Sequence, residues 1–154
     1  MHTIYIALGS NLGEKEQNLI RAIKQIEKRI GQVIAQSAFI YTSPWGYESE
    51  NRFINAAVAC TTQLSPEDLL LQTHLIEKEM GRTYYHKSGY EDRIIDLDIL
   101  LYDDIEFNSK SLQIPHPLMC KRLFVLEPLV QIAADVVHPT QNKTILELFN
   151  EMNL

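Results

Sequence analysis

Two aspartates, Asp96 and Asp98, stand two residues apart inside an otherwise apolar run, DRIIDLDILLYDD, at residues 92–104. Successive side chains of a β-strand point to opposite faces, so these carboxylates share a face, with origins roughly 7 Å apart. Ile95, Leu97, Ile99 and Leu101 then fall together on the other side, facing a core. Carboxylates that close repel unless a cation lies between them, and unpaired buried charge is costly. Mg²⁺ rests readily on one or two carboxylates plus substrate phosphates. A pair of such ions can clamp the attacking and leaving oxygens of a phosphoryl transfer. A D-x-D alone is more often the wet face of a strand. Here Arg82, Lys87 and Arg93 precede it, and His116, Lys121 and Arg122 follow it. Acids flanked by cationic groups suit a nucleoside triphosphate and its metal. The chain has neither G-x-x-x-x-G-K-[ST] nor G-x-G-x-x-G, and GSNLG at 9–13 is too short to be either.

These side chains need elements to hold them. TIYIAL (3–8) reads as a short apolar strand ended by Gly9. In SNLGEKEQNLIRAIKQIEKRI, Ser10 or Asn11 is placed to cap a helix, Leu19, Ile23, Ile26 and Ile30 recur at helical spacing, and Gly31 stops it. QVIAQSAFIYTS (32–43) and RFINAAVACTTQL (52–64) read as strands that pair antiparallel across the Pro44–Asn51 loop. SPEDLLLQTHLIEKEMG (65–81) is a helix with Ser65 as cap, Pro66 at its first position and Gly81 at its end. RTYYHKSGYEDR (82–93) is a polar loop, and the aspartate run is the next strand. IPHP (114–117) marks a turn, and helices are expected near 124–134 and 144–152. The order β-α-β-β-α-β is the split βαβ arrangement: an α+β, ferredoxin-like fold with a mostly antiparallel sheet packed with helices, one domain over 1–154.

A chain of 154 residues, 45% apolar and 22% charged, can bury one sizeable core. A net charge of −6 argues against a broad nucleic-acid or anionic-membrane surface, while leaving room for a local basic pocket. Cys60 and Cys120 have no metal-ligand or redox spacing, so reduced thiols in a cytoplasmic protein are expected. MHTIYIALGSNLG lacks a basic segment followed by a long apolar one, and no apolar run nears the ~20 residues of a membrane span. The expectation is a cytoplasmic monomer acting on small molecules, with no nucleic acid and no membrane.

ALGSNLG near the start, FINAAV (53–58), IEKEMGR (76–82), RIIDLDILLYD (93–103) and IPHPLMCKRLFVLEPL (114–129) resemble, in order and over nearly the whole chain, the sequence blocks of 6-hydroxymethyl-7,8-dihydropterin pyrophosphokinases. The resemblance implies transfer of the pyrophosphoryl group of ATP to the pterin's hydroxymethyl oxygen, with release of AMP, in folate biosynthesis. It implies two Mg²⁺ ions on Asp96 and Asp98, which join Arg82 and Arg93 as the catalytic set. It implies ATP phosphate contacts from Arg82, Arg93, His116 and Arg122, and nucleotide contacts from His74, Glu77 and Ile99. The pterin would lie between Phe53 and Phe124, hydrogen-bond to Asn55, and be wrapped by Thr42, Ser43, Pro44 and Trp45. His74 stands where the family often has Gln, and Tyr84 where many relatives carry a basic residue. Tyr90 is the nearest counterpart of the family's loop tryptophan. The 82–93 loop is expected to be mobile without ligand and to order over Mg²⁺ and ATP. Two other readings stay open: a nucleotide-binding regulatory module of the same fold, and a different Mg-dependent phosphoryl transferase. A regulatory module would need the phosphate site but not Phe53, Asn55 and Phe124.

Overall fold

The computed structural model describes residues 1–42, 52–81 and 93–152. The chain runs β1 (His2–Ser10), α1 (Lys15–Arg29), β2 (Gly31–Gln36), β3 (Ile40–Thr42), β4 (Phe53–Thr62), α2 (Pro66–Glu79) and β5 (Asp96–Tyr102). A small ribbon follows, β6 (Phe107–Asn108) with β7 (Gln113–Ile114), then a 3₁₀ turn (Met119–Lys121), α3 (Leu123–Ala133) and α4 (Ile145–Met152). The main sheet is ordered β2-β4-β1-β5, with β3 also on β4, and every pairing is antiparallel. That is the ferredoxin-like split βαβ fold expected from the element order. Among the described residues no helix is long and apolar enough to cross a membrane.

Local chemistry fixes most of the boundaries. Ser65 caps α2 by accepting the Asp68 N–H at 3.2 Å, and Pro66 occupies the first turn, where a missing N–H costs nothing. α1 starts later than the sequence suggests. Ser10 completes β1, and the helix opens after Glu14, which gives no side-chain cap. Instead Asn18 reaches back from the first turn, donating to the Leu12 carbonyl at 2.9 Å and to Ser10 Oγ at 3.2 Å. The expected strand over 32–43 is two strands, because Ser37 leaves the ladder. Its N–H donates to the Ala57 carbonyl and its Oγ accepts the Ala57 N–H, each at 2.9 Å, and the chain rejoins the sheet only at Ile40. Gly31 opens β2 in close contact with β4: a Cβ there would lie 1.8 Å from the Thr61 carbonyl oxygen.

The sheet buries its two faces differently. On the first face Ile4, Ile6 and Leu8 of β1, Ile54, Ala56 and Val58 of β4, and Leu97 and Ile99 of β5 pack in one core with Leu19, Ala22 and Ile26 of α1 and Leu69 and Ile76 of α2. On the second face α3 and α4 bury Ala57, Leu100 and Leu101 and pack against Tyr5 and Ala7. Leu101 departs from the alternation expected of it. β5 pairs Leu101 with Tyr5 but Ile99 with Ile6, so Leu100 is an extra residue in the ladder. That bulge turns Leu101 onto the second face and returns Tyr102 to the first. A period of two cannot anticipate an inserted residue. Cys60 and Cys120 are free thiols, and burial pushes Cys60 up to about 11.

Candidate active site

The part of the second face beyond α3 is floored by two rows of side chains. Asn55, Gly9 and Asp96 lie abreast on β4, β1 and β5, and Ala57, Ala7 and Asp98 form the next row. Strands lie about 4.8 Å apart, so Asn55 and Asp96 are separated by about 10 Å with only a glycine between them. A Cβ on Gly9 would come 3.1 Å from Asn55 Oδ1 and 3.5 Å from Phe53 Cδ1, so the missing side chain keeps open a slot beside Phe53. Asn55 is 6% exposed and donates its Nδ2 to Thr42 Oγ1 at 2.7 Å, which leaves Oδ1 on the Gly9 side as the acceptor. Phe53 and Phe124 form the cavity's aromatic walls, Phe124 from the first turn of α3. The cavity measures about 560 Å³ with its open mouth.

A second and wider cavity lies across the aspartates. Leu70, His74 and Glu77 line it from α2, Ser109–Gln113 from the β6–β7 ribbon, and Arg93, Ile99 and His116 from beside β5. Asp96, Asp98 and Arg122 line both cavities. The site is therefore two chambers, one apolar and aromatic, one polar and cationic, that meet at two carboxylates and a guanidinium.

Charged and polar groups crowd this seam. Arg93 Nη1 stands 3.4 Å from Asp96 Oδ1, long for a hydrogen bond. The Arg122 guanidinium lies 5.5 Å from the centre of the Phe124 ring, a cation–π distance that ties the polar chamber to the aromatic one. His116 is held in register by its N–H on the Leu100 carbonyl at 3.0 Å. Its Nδ1 accepts the Leu118 N–H at 3.1 Å. Burial first, and the positive Arg122 second, push its pKa down to about 4 against the pull of Asp96. The ring is thus neutral near pH 7, with its proton on Nε2, 3.8 Å from Asp98 Oδ1. That contact is too long for a hydrogen bond, and with a neutral imidazole it is no ion pair. His116 is a donor aimed into the polar chamber.

The donor set at Asp96 and Asp98 suits one kind of metal. Among the described residues no group of three or more His, Cys, Asp or Glu is placed to enclose an ion. A cation here would complete its shell with water and ligand oxygens, which is the habit of Mg²⁺ and not of a structural Zn²⁺.

Most sequence-assigned residues gather at this seam. Thr42, Phe53, Asn55 and Phe124 line the aromatic chamber, and His74, Glu77, Arg93, Ile99 and His116 the polar one. Ile99 is only 4% exposed and spends most of its side chain in the first core. Ser43, Pro44, Trp45 and Arg82 lie outside the described residues, as do Lys87, Tyr84, Tyr90 and the proposed lid up to Asp92. Sequence reasoning passed over three contributors. Gly9 reads in the sequence as a strand end and as part of GSNLG, with no hint of a slot, although small Ala7 and Gly9 alternate with bulky Ile6 and Leu8. Asn11 was read as a helix cap, yet its Oδ1 accepts the Arg93 N–H at 2.6 Å. The β6–β7 ribbon, with Lys110, consists of two-residue strands too short to leave a period in the sequence.

Known proteins are similar to this chain in sequence and in fold. A family model described as 7,8-dihydro-6-hydroxymethylpterin-pyrophosphokinase (HPPK) matches residues 5–134. A Porphyromonas gingivalis protein named 2-amino-4-hydroxy-6-hydroxymethyldihydropteridine pyrophosphokinase is 43% identical over 135 residues, covering 86% of this chain and 92% of that protein. An Aquifex aeolicus protein of the same name is 38% identical over 155 residues, covering 100% of this chain and 94% of its own. Among solved structures, Plasmodium falciparum HPPK-DHPS with pteroate superposes with a TM-score of 0.79 at 17% identity, over 97% of this chain and 42% of that one. The chain thus spans about two fifths of that solved protein, and the likeness there is one of fold.

Proposed function

This chain belongs to the 7,8-dihydro-6-hydroxymethylpterin pyrophosphokinase family, and from that premise we propose how its residues divide the work. The reaction transfers the pyrophosphoryl group of ATP to the hydroxymethyl oxygen of 6-hydroxymethyl-7,8-dihydropterin, a step of folate biosynthesis that releases AMP. The observation that carries the site assignment is that Asp96, Asp98 and Arg122 line two chambers of opposite character.

The pterin occupies the aromatic chamber. Phe53 and Phe124 stack on its flat bicycle, and Asn55 Oδ1 accepts from its amino edge. Thr42 orients that amide, and Ser43, Pro44 and Trp45 complete the wrapping. ATP occupies the polar chamber, with its nucleoside against His74, Glu77 and Ile99. Its phosphates meet Arg93, His116 and Arg122, joined by Arg82. Asp96 and Asp98 would hold two Mg²⁺ ions, which when bound neutralise phosphate charge and draw the two substrates' oxygens together.

Catalysis is then mainly positioning and electrostatics. The hydroxymethyl oxygen bonds to the β-phosphorus and gives up its proton to water, and the bond from that phosphorus to the α–β bridging oxygen breaks, so the electron pair leaves with AMP. Arg122 follows this shift, a role supported by its lining both chambers with its guanidinium 5.5 Å from the centre of the Phe124 ring. Arg93 lines the phosphate chamber beside Asp96, with its Nη1 3.4 Å from Asp96 Oδ1. His116 donates its Nε2 proton to a phosphate oxygen as a neutral hydrogen-bond donor. The chain acts as a single domain over 1–154 and as a cytoplasmic monomer.

The test is to supply ATP, Mg²⁺ and 6-hydroxymethyl-7,8-dihydropterin and separate the nucleotides. AMP should appear in step with the pterin diphosphate. ADP in its place would mean a different phosphoryl transfer. Tight ATP binding without turnover would mean a regulatory module.

A further inference from the structure

β5 carries both aspartates, yet it is an edge strand of the main sheet. Its ladder to β1 ends at the Gly9–Asp96 pair, so among the described residues the backbone just before Asp96 has no strand partner there, and the outer side of β5 has none either. An edge strand left so is soft, and its outward amides seek partners. Two buried side chains meet that need. Asn11, 0% exposed, accepts the Arg93 N–H on Oδ1 at 2.6 Å, while its own N–H donates to the Arg93 carbonyl at 2.9 Å. Glu77, 1% exposed, reaches from α2 and accepts the Leu97 N–H on Oε2 at 2.8 Å. Leu97 is the residue between the two aspartates. Its side chain points into the first core, and its amide points away from β1 toward α2.

We propose that Glu77 and Asn11 are positioning residues, which clamp the backbone of 93–98 so that Asp96, Asp98 and Arg93 are set before any ligand arrives. This rests on the reading of Asp96 and Asp98 as the metal-bearing pair. A carboxylate is a costly group to bury on the sheet side of a helix, and an apolar side chain would pack there more cheaply. What a carboxylate supplies that an apolar side chain cannot is a charge-assisted bond to one peptide N–H, roughly twice as strong as a neutral one. Fixing the peptide between the aspartates fixes the angle between their side chains. Second-layer partners of metal-bearing groups act in this way, and their loss commonly costs about 10- to 100-fold in metal affinity or activity. Glu77 also lines the nucleotide chamber, so the competing role is direct contact with ATP and nothing more.

Three readouts separate these roles in Glu77→Ala, Glu77→Gln and Asn11→Ala. In the ligand-free protein, exchange of the Leu97 amide should quicken in Glu77→Ala and less so in Glu77→Gln, and exchange at Arg93 should quicken in Asn11→Ala. Amides of the β1–β4 ladder should keep wild-type exchange. Mn²⁺, followed by electron paramagnetic resonance with a non-hydrolysable ATP analogue, should bind about 10- to 100-fold more weakly in Glu77→Ala, with partial rescue in Glu77→Gln. Affinity for ATP without metal should fall much less than affinity for Mn²⁺, and kcat should fall more than KM for ATP rises. The proposal is overturned if Glu77→Ala loses metal-free ATP affinity while Leu97 exchange and Mn²⁺ binding stay normal. If Glu77→Ala does not fold, wild-type Leu97 exchange in Glu77→Gln overturns it equally. Asp98→Asn serves as the control. If it also binds Mn²⁺ normally, the metal assignment itself fails, whereas loss there beside normal binding in Glu77→Ala removes only the clamp.

Discussion

The two faces of one sheet, built from the same three strands, have opposite fates. On the first, β1, β4 and β5 present Ile6, Val58 and Ile99 side by side, all 4% exposed or less and packed in one core with α1 and α2. One residue along, the same strands present Ala57, Ala7 and Asp98, then Asn55, Gly9 and Asp96. The first face is filled with side chains that fit one another. The second, beyond α3, is emptied of bulk so that something else fits. Volume is what separates them: a branched side chain at Gly9 would complete a core and abolish a slot. The open part of the second face therefore adds little to the stability of the fold, and the chemistry can be altered there with little cost to folding.

That contrast can be broken in order of size. Ile6→Ala, at 0% exposure in the middle of the first face, should cost about 2–5 kcal/mol of folding stability by urea titration. Whatever protein stays folded should keep its affinity for both substrates. A loss below 1 kcal/mol would mean the first face does not carry the fold. Phe124→Ala on the open face should weaken pterin binding by about 1–3 kcal/mol, the worth of one stacked heterocycle. Calorimetry should show ATP affinity much less affected, and equal losses for both ligands would point to damage in the α3 core. Gly9→Ala should raise the KM for pterin about tenfold, or ~1.4 kcal/mol, with ATP unaffected. Its added Cβ meets Asn55 and Phe53 and no part of the polar chamber. An unchanged KM would mean that the slot is not where the pterin lies.

The smallest effect belongs to the covered end of the second face. His138, 3% exposed in the turn from α3 to α4, accepts the Thr140 and Gln141 N–H groups on Nδ1 at 3.3 and 3.2 Å, and burial lowers its pKa from 6.5. The unfolded chain therefore takes up this proton at higher pH than the folded one. Its contribution to stability is complete above pH 6.5 and is lost as pH falls from there through the lowered folded value. Urea midpoints should drop below pH 6.5, where the lowered His116 contributes as well, by at most about 1.4 kcal/mol per pH unit for each proton, and His138→Asn should lessen that drop. The same slope in wild type and variant would show that the proton is taken up elsewhere.

How much of this was legible in the sequence depends on the kind of information each feature needs. α2 was readable because Ser65, Pro66 and Gly81 are local instructions. The aspartate pair was readable because a strand's period of two needs no partner. The family's blocks then supplied a role for Asn55, and roles for Phe53 and Phe124 that composition would have left as core. What stayed hidden depends on contacts distant in the chain. The bulge at Leu100 exists only in the pairing with β1, and Ser37 leaves the edge because of Ala57, 20 residues away. Asn11 looks like a helix cap until Arg93, 82 residues later, is seen to donate to it. Gly9 has no character of its own, and its value lies in what stands on either side.

The seam between the chambers is tested most directly by Asp98→Asn, and beside it Asp96→Asn, with two quantities read from the same sample. These are the rate of AMP formation at saturating ATP, Mg²⁺ and pterin, and the urea midpoint. Both aspartates are partly exposed, at 29% and 34% of their side chains for Asp96 and Asp98, so the fold should not depend on their charge. The expected result is a rate lowered on the order of 10²- to 10³-fold or more, with an unchanged midpoint. A folded Asp98→Asn protein that forms AMP at the wild-type rate at ordinary Mg²⁺ would contradict the assignment of the seam as the reaction centre.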